Sequence, residues 1–145
     1  YITYKLLLLF ANKKIGLTES NTSFRVFSAG VLFAVGHMIS GVIQPILTSF
    51  RVLSSQPHSS LIFTFLLYST IYVLIAFVAS LITSLVGISF YRYLTPIDEF
   101  KEIKNDNIGV AIITSTIIII LSMMTKDGVV LLIESIIPYP NMPLL

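Results

Sequence analysis

Residues 60–90 form a run of 31 positions without a single Asp, Glu, Lys, Arg or His. As continuous helix at 1.5 Å per residue the run is roughly 46 Å long, and a helix of that length in a bilayer core about 30 Å thick must tilt, bend or protrude. Lipid is the solvent such a run calls for. The rest of the chain agrees: its 145 residues carry nine basic and seven acidic side chains, 11% charged, against about 25% in an ordinary soluble domain. So few charges on a soluble surface would leave large apolar patches open to water.

Two further runs have the length of a span. Residues 26–43 have His37 as their only ionisable group, and residues 108–124 have none. A fourth, residues 1–11, is short; it contains "LLLLF", is followed by Lys13 and Lys14, and reads as the end of a helix whose start precedes Tyr1. Gln44-Pro45 is expected to kink or end the second helix. Tyr91 and Tyr93, beside Arg92, mark the interfacial end of the long run. After Met124 the motif "TKDG" interrupts, and the apolar residues 129–137 are too short to span; they lie in the interface, re-enter the membrane, or extend the last helix. The close, "PYPNMPLL", is irregular by its prolines. The chain thus divides into a two-helix unit (1–50), a periplasmic loop (51–59), a second two-helix unit with its short apolar segment (60–137) and a tail (138–145).

Charge sets the orientation. The segments between helices one and two and between three and four carry Lys13, Lys14, Arg25, Arg92, Lys101 and Lys104, whereas the opposite side has Arg51 and Lys126. By the positive-inside rule the connectors at 12–23 and 92–107 are cytoplasmic. The second connector, "TPIDEFKEIKNDN", gathers six charged side chains because water is available there and not along the flanking runs. Thr95 is placed to cap a short helix, Pro96 suits its first turn, and Ile97, Phe100 and Ile103 share a face that can lie on the headgroups.

"TESNTSFRVFSAGVLFAV" and "KNDNIGVAIITSTIIIIL" each set an asparagine, Asn21 or Asn107, immediately before a spanning run. Each half is then helix, polar connector, asparagine, helix. Two-span units repeat in parallel, about an axis near the membrane normal. The motif Thr-Pro-x-x-Glu-aromatic-x-x-Ile-Lys-Asn-x-Asn, here Thr95, Pro96, Glu99, Phe100, Ile103, Lys104, Asn105 and Asn107, resembles that of the YjfL-type bacterial membrane proteins, also called domain of unknown function 350. The resemblance covers residues 91–121 well, with Asn21-Thr22 as a fainter counterpart. It implies a multi-pass inner-membrane protein of two such repeats, encoded in some genomes beside ATP-grasp ligases and PspA-like membrane-stress proteins. It transfers no catalytic residue.

An ionisable side chain within a membrane helix is a functional candidate by default, which singles out His37. Gly30, Ala34, His37 and Gly41 recur at spacings of four, three and four, a small-residue stripe that lets another helix approach. His37 is either a proton or ion relay or a neutral histidine bonded to the next helix. Ser69, Tyr72, Ala76, Ser80, Thr83 and Gly87 form a matching stripe, whose hydroxyls line a wet path or join helices. Asn21 and Asn107 are N-caps, or a pair of helix starts that bind an anion. Glu99 and Lys104 contact a partner or stay solvated.

Motifs for a nucleophile elbow, a zinc protease and a phosphate loop are absent from the sequence. With no cysteine and two histidines in different settings, no metal site and no cofactor are expected. No Lys/Arg cluster tracks a nucleic-acid backbone. The expectation is an all-α integral membrane protein with four membrane helices as two parallel repeats in the bacterial inner membrane. It is read as a non-enzymatic subunit of a homo-oligomer that docks a cytoplasmic or membrane protein through its connectors. The alternative is a pore or carrier for ions or small solutes, using His37, Ser80 and Thr83.

Overall fold

The computed structural model describes residues 2–15, 21–55, 61–95 and 98–137, apart from the side chains of residues 10–15. Pro96, the loop with His58 and the proline-rich tail lie outside the described residues. The described residues are all-helical: α1 (Ile2–Ile15), α2 (Thr22–Ser40), α3 (Ile43–Ser54), α4 (Leu61–Leu94), α5 (Glu99–Lys104) and α6 (Ile108–Glu134).

Among the described residues three segments are long and apolar enough to cross a membrane: Thr22–Ser54, Leu61–Leu94 and Ile108–Glu134. At 14 residues α1 is about 21 Å long, short of the ~30 Å hydrocarbon thickness. The first of the three is divided. Gly41 and Val42 form a turn in which their N–H groups donate to Met38 and Ile39, three residues back, before α3 resumes at Ile43. Pro45 explains the place of the break, since it lacks an N–H and its ring would clash with the carbonyl of Gly41.

Residues 129–137 resolve differently from α2. The charged Lys126 and Asp127 and the glycine after them do not end the helix, and α6 runs unbroken to Glu134. Residues 129–134 continue the last helix, and residues 135–137 turn beyond its end. Lys126 helps make this cheap: its long stem reaches the α2 end, and its Nζ donates to Ser40 Oγ at 3.2 Å.

The packing directions follow from matched contacts. Val26 and Gly30 of α2 meet Ser115 of α6, Ala34 meets Ser122, and Gly41 meets Lys126 and Val130. Both numbers rise together, so α2 and α6 are parallel. Thr83 of α4 meets Thr125 and Gly87 meets Ile118, so α4 is antiparallel to α6. One core joins Phe24, Phe27, Val31, Ala34 and Val35 of α2 to Ile103, Ala111 and Ile118. A second, nearer the other end, holds Val42, Tyr72, Ala76 and Ile133.

Candidate functional site

The helix starts of α2 and α6 meet at one end of the bundle, where α5 joins them. Asn107 caps α6 by accepting the Val110 N–H on its Oδ1 at 3.3 Å, and Asn21 caps α2 by accepting the Phe24 N–H at 2.9 Å. Each cap is worth about 0.5–2 kcal/mol. The turn that ends α5 ties the two together. Asp106 N–H donates to Ile103 O and Asn107 N–H to Glu102 O, the paired bonds of a helix end whose following residue is left-handed. That residue is Asp106, at φ 61°. Asp and Asn tolerate this conformation better than other residues with a side chain. Here the conformation turns the carboxylate toward α2, where Asp106 Oδ1 accepts the Ser23 N–H at 2.8 Å.

The clasp is reciprocal. Asn21 Nδ2 donates to the carbonyl of Lys104 at 3.2 Å, and Asn107 Nδ2 donates to Glu102 Oε2 at 2.8 Å. Two orphan donors of the α2 start therefore already have partners from this chain, one of them a carboxylate, which a helix N-terminus favours. An external anion would have to displace Asp106 there.

The start of α5 departs from expectation. Asp98, not Thr95, is its N-cap, with Oδ1 accepting the Lys101 N–H at 3.4 Å. Thr95 belongs to the end of α4, where its hydroxyl donates to Tyr91 O at 2.8 Å. Glu99 is also corrected as a docking or solvated residue: it is 0% exposed. Neither of its carboxylate oxygens has a hydrogen-bond donor among the described residues, and Arg92 Nε stands 3.8 Å from Oε2. Arg92, with a side chain 58% exposed, also meets Asp98 Oδ1 at 3.5 Å. Glu99 and Ile103, one turn apart, form the inward face of α5. Lys101, Lys104, Asn105 and Asn107 are exposed.

Farther along the bundle, α2 and α6 approach closely at Gly30. A Cβ built on it would lie 2.5 Å from Ser115 Cβ. Ser115 Oγ donates to Val26 O at 3.3 Å and Ser122 Oγ to Ala34 O at 3.1 Å. These two serines, unremarked in the sequence, carry the seam to α2. At its next turn the buried residue is Met38, not His37. His37 is half-buried, its ring stacked on that of exposed Phe33 with centroids 6.2 Å apart.

The α4 stripe turns inward: Tyr72, Ala76, Ser80, Thr83 and Gly87 are buried. Ser80 Oγ donates to Phe77 O at 2.7 Å and Ser84 Oγ to Ser80 O at 2.9 Å, while Thr83 Oγ1 lies 3.4 Å from Thr125 Oγ1. Tyr72 OH and Ser49 Oγ share a bond of 2.9 Å between α4 and α3. Among the described residues no group of three or more His, Cys, Asp or Glu side chains is placed to hold a metal.

One family description, Domain of Unknown Function (DUF350), matches residues 1–129. No curated protein and no solved structure matches the chain.

Proposed function

Since the chain belongs to the DUF350 family, which carries no assigned activity, we propose from its geometry that it is a non-enzymatic subunit of a membrane assembly. In this reading four membrane helices form two parallel repeats in the bacterial inner membrane, copies associate side by side, and the connectors present a cytoplasmic surface to a protein partner. The supporting observation is the clasp at the α2 and α6 starts, which uses polar groups from three elements to hold the second connector in one geometry. A surface held in this way loses little further entropy when a partner binds. Its outward side carries Lys101, Lys104 and Asn105. Arg25 and Arg92 lie at the same end and Arg51 and Lys126 at the other, which favours a cytoplasmic placement.

Because Glu99 is buried, a charge reversal there tests folding and not docking. The test is Lys101→Glu with Lys104→Glu, followed by recovery of co-purifying proteins from native membranes. The double variant is expected to keep its place in the membrane and lose a partner that the parent retains. Retention of every partner defeats the docking reading.

A pore or carrier between copies is the second reading, favoured by the position of His37 on the outer side of α2 beside exposed Gly36 and Ser40. Among the described residues the Ser80, Thr83 and Ser84 hydroxyls are bonded within the bundle, whereas the buried Ser69 hydroxyl has no hydrogen-bond partner; in this reading the wet path runs between subunits. Liposomes holding the purified protein, assayed for ion and small-solute flux across a range of pH with His37→Ala as control, decide it; no flux from the parent ends this reading.

A further inference from the structure

A layer of ionisable side chains crosses the bundle at a depth where lipid is the expected neighbour. Met38 of α2, Thr83 of α4 and Thr125 of α6 mark one level, since the Thr125 hydroxyl lies 3.9 Å from Met38 Sδ and 3.4 Å from Thr83 Oγ1. On α4 that level is nine residues from Arg92, and on α6 it is nine from Glu134 toward the opposite end, about 14 Å each way. The whole distance, about 27 Å, is close to the ~30 Å of a hydrocarbon core. His37, Lys126 and Asp127 adjoin the level and therefore lie deep in that core. Were Lys126 at the outer surface, only about 15 Å of apolar protein would separate it from Arg92.

A charged side chain at such depth faces a cavity or a polar partner. Lys126 has one: its Nζ donates to Ser40 Oγ at 3.2 Å, which leaves two of its three N–H donors. Asp127 has none. It is exposed, with no hydrogen bond or ion pair among the described residues. Lys5 stands elsewhere, because α1 covers the space between α2 and α4 through Leu6 and Leu7, beside Phe27, Val31 and Leu85.

The surface around Asp127 is built for a close neighbour. Thr116, Ile120, Met123 and Asp127 form an exposed stripe of α6 at spacings of four, three and four. Ala29, Phe33, Gly36 and Ser40 repeat that pattern on α2, and the α2–α6 contacts set the two stripes level in that order. At 100° per residue Asp127 is roughly 160° round α6 from Thr125, and Gly36 is as far round α2 from Met38, so both stripes lie away from α4. Lys126, reaching from α6 to Ser40, joins them. A Cβ built on Gly36 meets nothing within 4 Å, which leaves a gap at the level of Met123, itself 57% exposed.

We propose that a second copy covers this face, related by a two-fold axis along the membrane normal, with α6 of each copy against α2 of the other. Asp127 of each accepts from Lys126 Nζ of the other beside His37, and Met123 enters the gap at Gly36. Such an axis keeps equal residues at equal depth, so the opposite charges meet in register. An acyl chain in the same place offers Asp127 no donor. The inference rests on the side-by-side association proposed above and gives it a face and a charge contact.

The chain has no cysteine, so disulfides report faces directly. Chains carrying Ala29→Cys and Thr116→Cys, with different tags, are co-expressed and oxidised in native membranes; both positions are exposed and lie well away from the charged layer. A disulfide joining the tags is expected, in roughly fivefold or higher yield than between Ala29→Cys and Phe90→Cys, because the bond needs Cα atoms within about 7 Å. Phe90, 53% exposed on α4, is the control at similar depth. The charge contact is read by energy transfer between full chains labelled on terminal tags and diluted in phosphatidylcholine vesicles. Asp127→Asn, or Lys126→Met, which keeps the stem, should raise the protein-to-lipid ratio at half association about tenfold. Asp127→Glu should leave it nearly unchanged. Transfer without the Ala29–Thr116 disulfide overturns this face and leaves the assembly reading in place, whereas no transfer at any ratio overturns both. The disulfide together with indifference to Asp127→Asn and Lys126→Met overturns the charge contact. Should both charge variants fail to fold by circular dichroism, Gly36→Leu, at a position open in its own chain, takes their place; it should abolish association, and its indifference overturns the proposal.

Discussion

Gly30→Ala tests the parallel seam between α2 and α6 at a point of close approach. The added methyl carbon would sit 2.5 Å from Ser115 Cβ, 2.7 Å from its Oγ and 3.1 Å from its Cα. Carbon atoms in contact prefer about 3.5–4.0 Å, so the helices must separate by roughly 1 Å. Overpacking of this kind costs about 1–3 kcal/mol. Separation also weakens the Ser115 bond to Val26 O, which contributes about 0.6 kcal/mol by the average for such bonds in membranes. Replacing glycine in a helix returns about 0.5–1 kcal/mol. The net is a destabilisation of about 2 kcal/mol. Gly36→Ala, on the same helix with nothing within 4 Å of the built Cβ, keeps only the favourable term and is expected to be neutral or slightly stabilising. The assay is reversible unfolding in mixed micelles with increasing fractions of denaturing detergent, followed by circular dichroism. Partner substitutions sharpen it: Ser115→Gly should restore most of the loss in the Gly30→Ala background. Ser115→Ala should not, because the closest clash is with the β carbon, which alanine retains. A Gly30→Ala variant within 0.5 kcal/mol of the parent, or rescue by Ser115→Ala as complete as by Ser115→Gly, refutes the close approach.

At the clasp, Asp106→Ala loses a helix cap of about 1 kcal/mol and places alanine in a left-handed conformation costing about another 1 kcal/mol, so the same unfolding assay should read a loss near 2 kcal/mol. Asp106→Gly keeps the conformation but still loses the cap, and should lose about half as much. Between α3 and α4, a double-mutant cycle of Tyr72→Phe and Ser49→Ala is expected to give a coupling of about 0.6–1.7 kcal/mol, and additivity would remove the bond from consideration. Because the chain has no cysteine, Lys104→Cys and Ser55→Cys can be probed in intact cells with a membrane-impermeant thiol reagent; only Ser55→Cys should react before the cells are opened.

What was legible in the sequence is what local spacing encodes. The buried face of α4 follows from small and hydroxyl residues recurring every three or four positions, and Tyr72, Ala76, Ser80, Thr83 and Gly87 all lie on it. Asn21 and Asn107 cap because the amide oxygen of an asparagine set just before a helix can accept one of its unpaired first-turn N–H groups. Pro45 fixes the break after α2 through its missing donor. What was not legible depends on partners distant in the chain. Nothing beside Asp106 announces that its carboxylate serves Ser23, 83 residues away, and only its place in "NDN", where a left-handed turn is affordable, is a hint. Glu99 reads as solvated because carboxylates usually are; its burial follows from sharing the inward face of α5 with Ile103. The helix across Lys126 and Asp127 persists because a long side chain can lie along a neighbouring helix, a relation that hydropathy alone does not see. His37 and Met38 are adjacent on the helix, and which of the two enters the seam is settled by where α6 passes.

The Ser23–Asp106 bond also has a consequence in time. A ribosome adding about 5–20 residues per second needs roughly 4–17 s to travel from Ser23 to Asp106. Throughout that interval the start of α2 lacks its Asp106 partner and has the Asn21 cap alone. Truncated chains released before the second connector is made should therefore be the ones that quality-control proteases clear first.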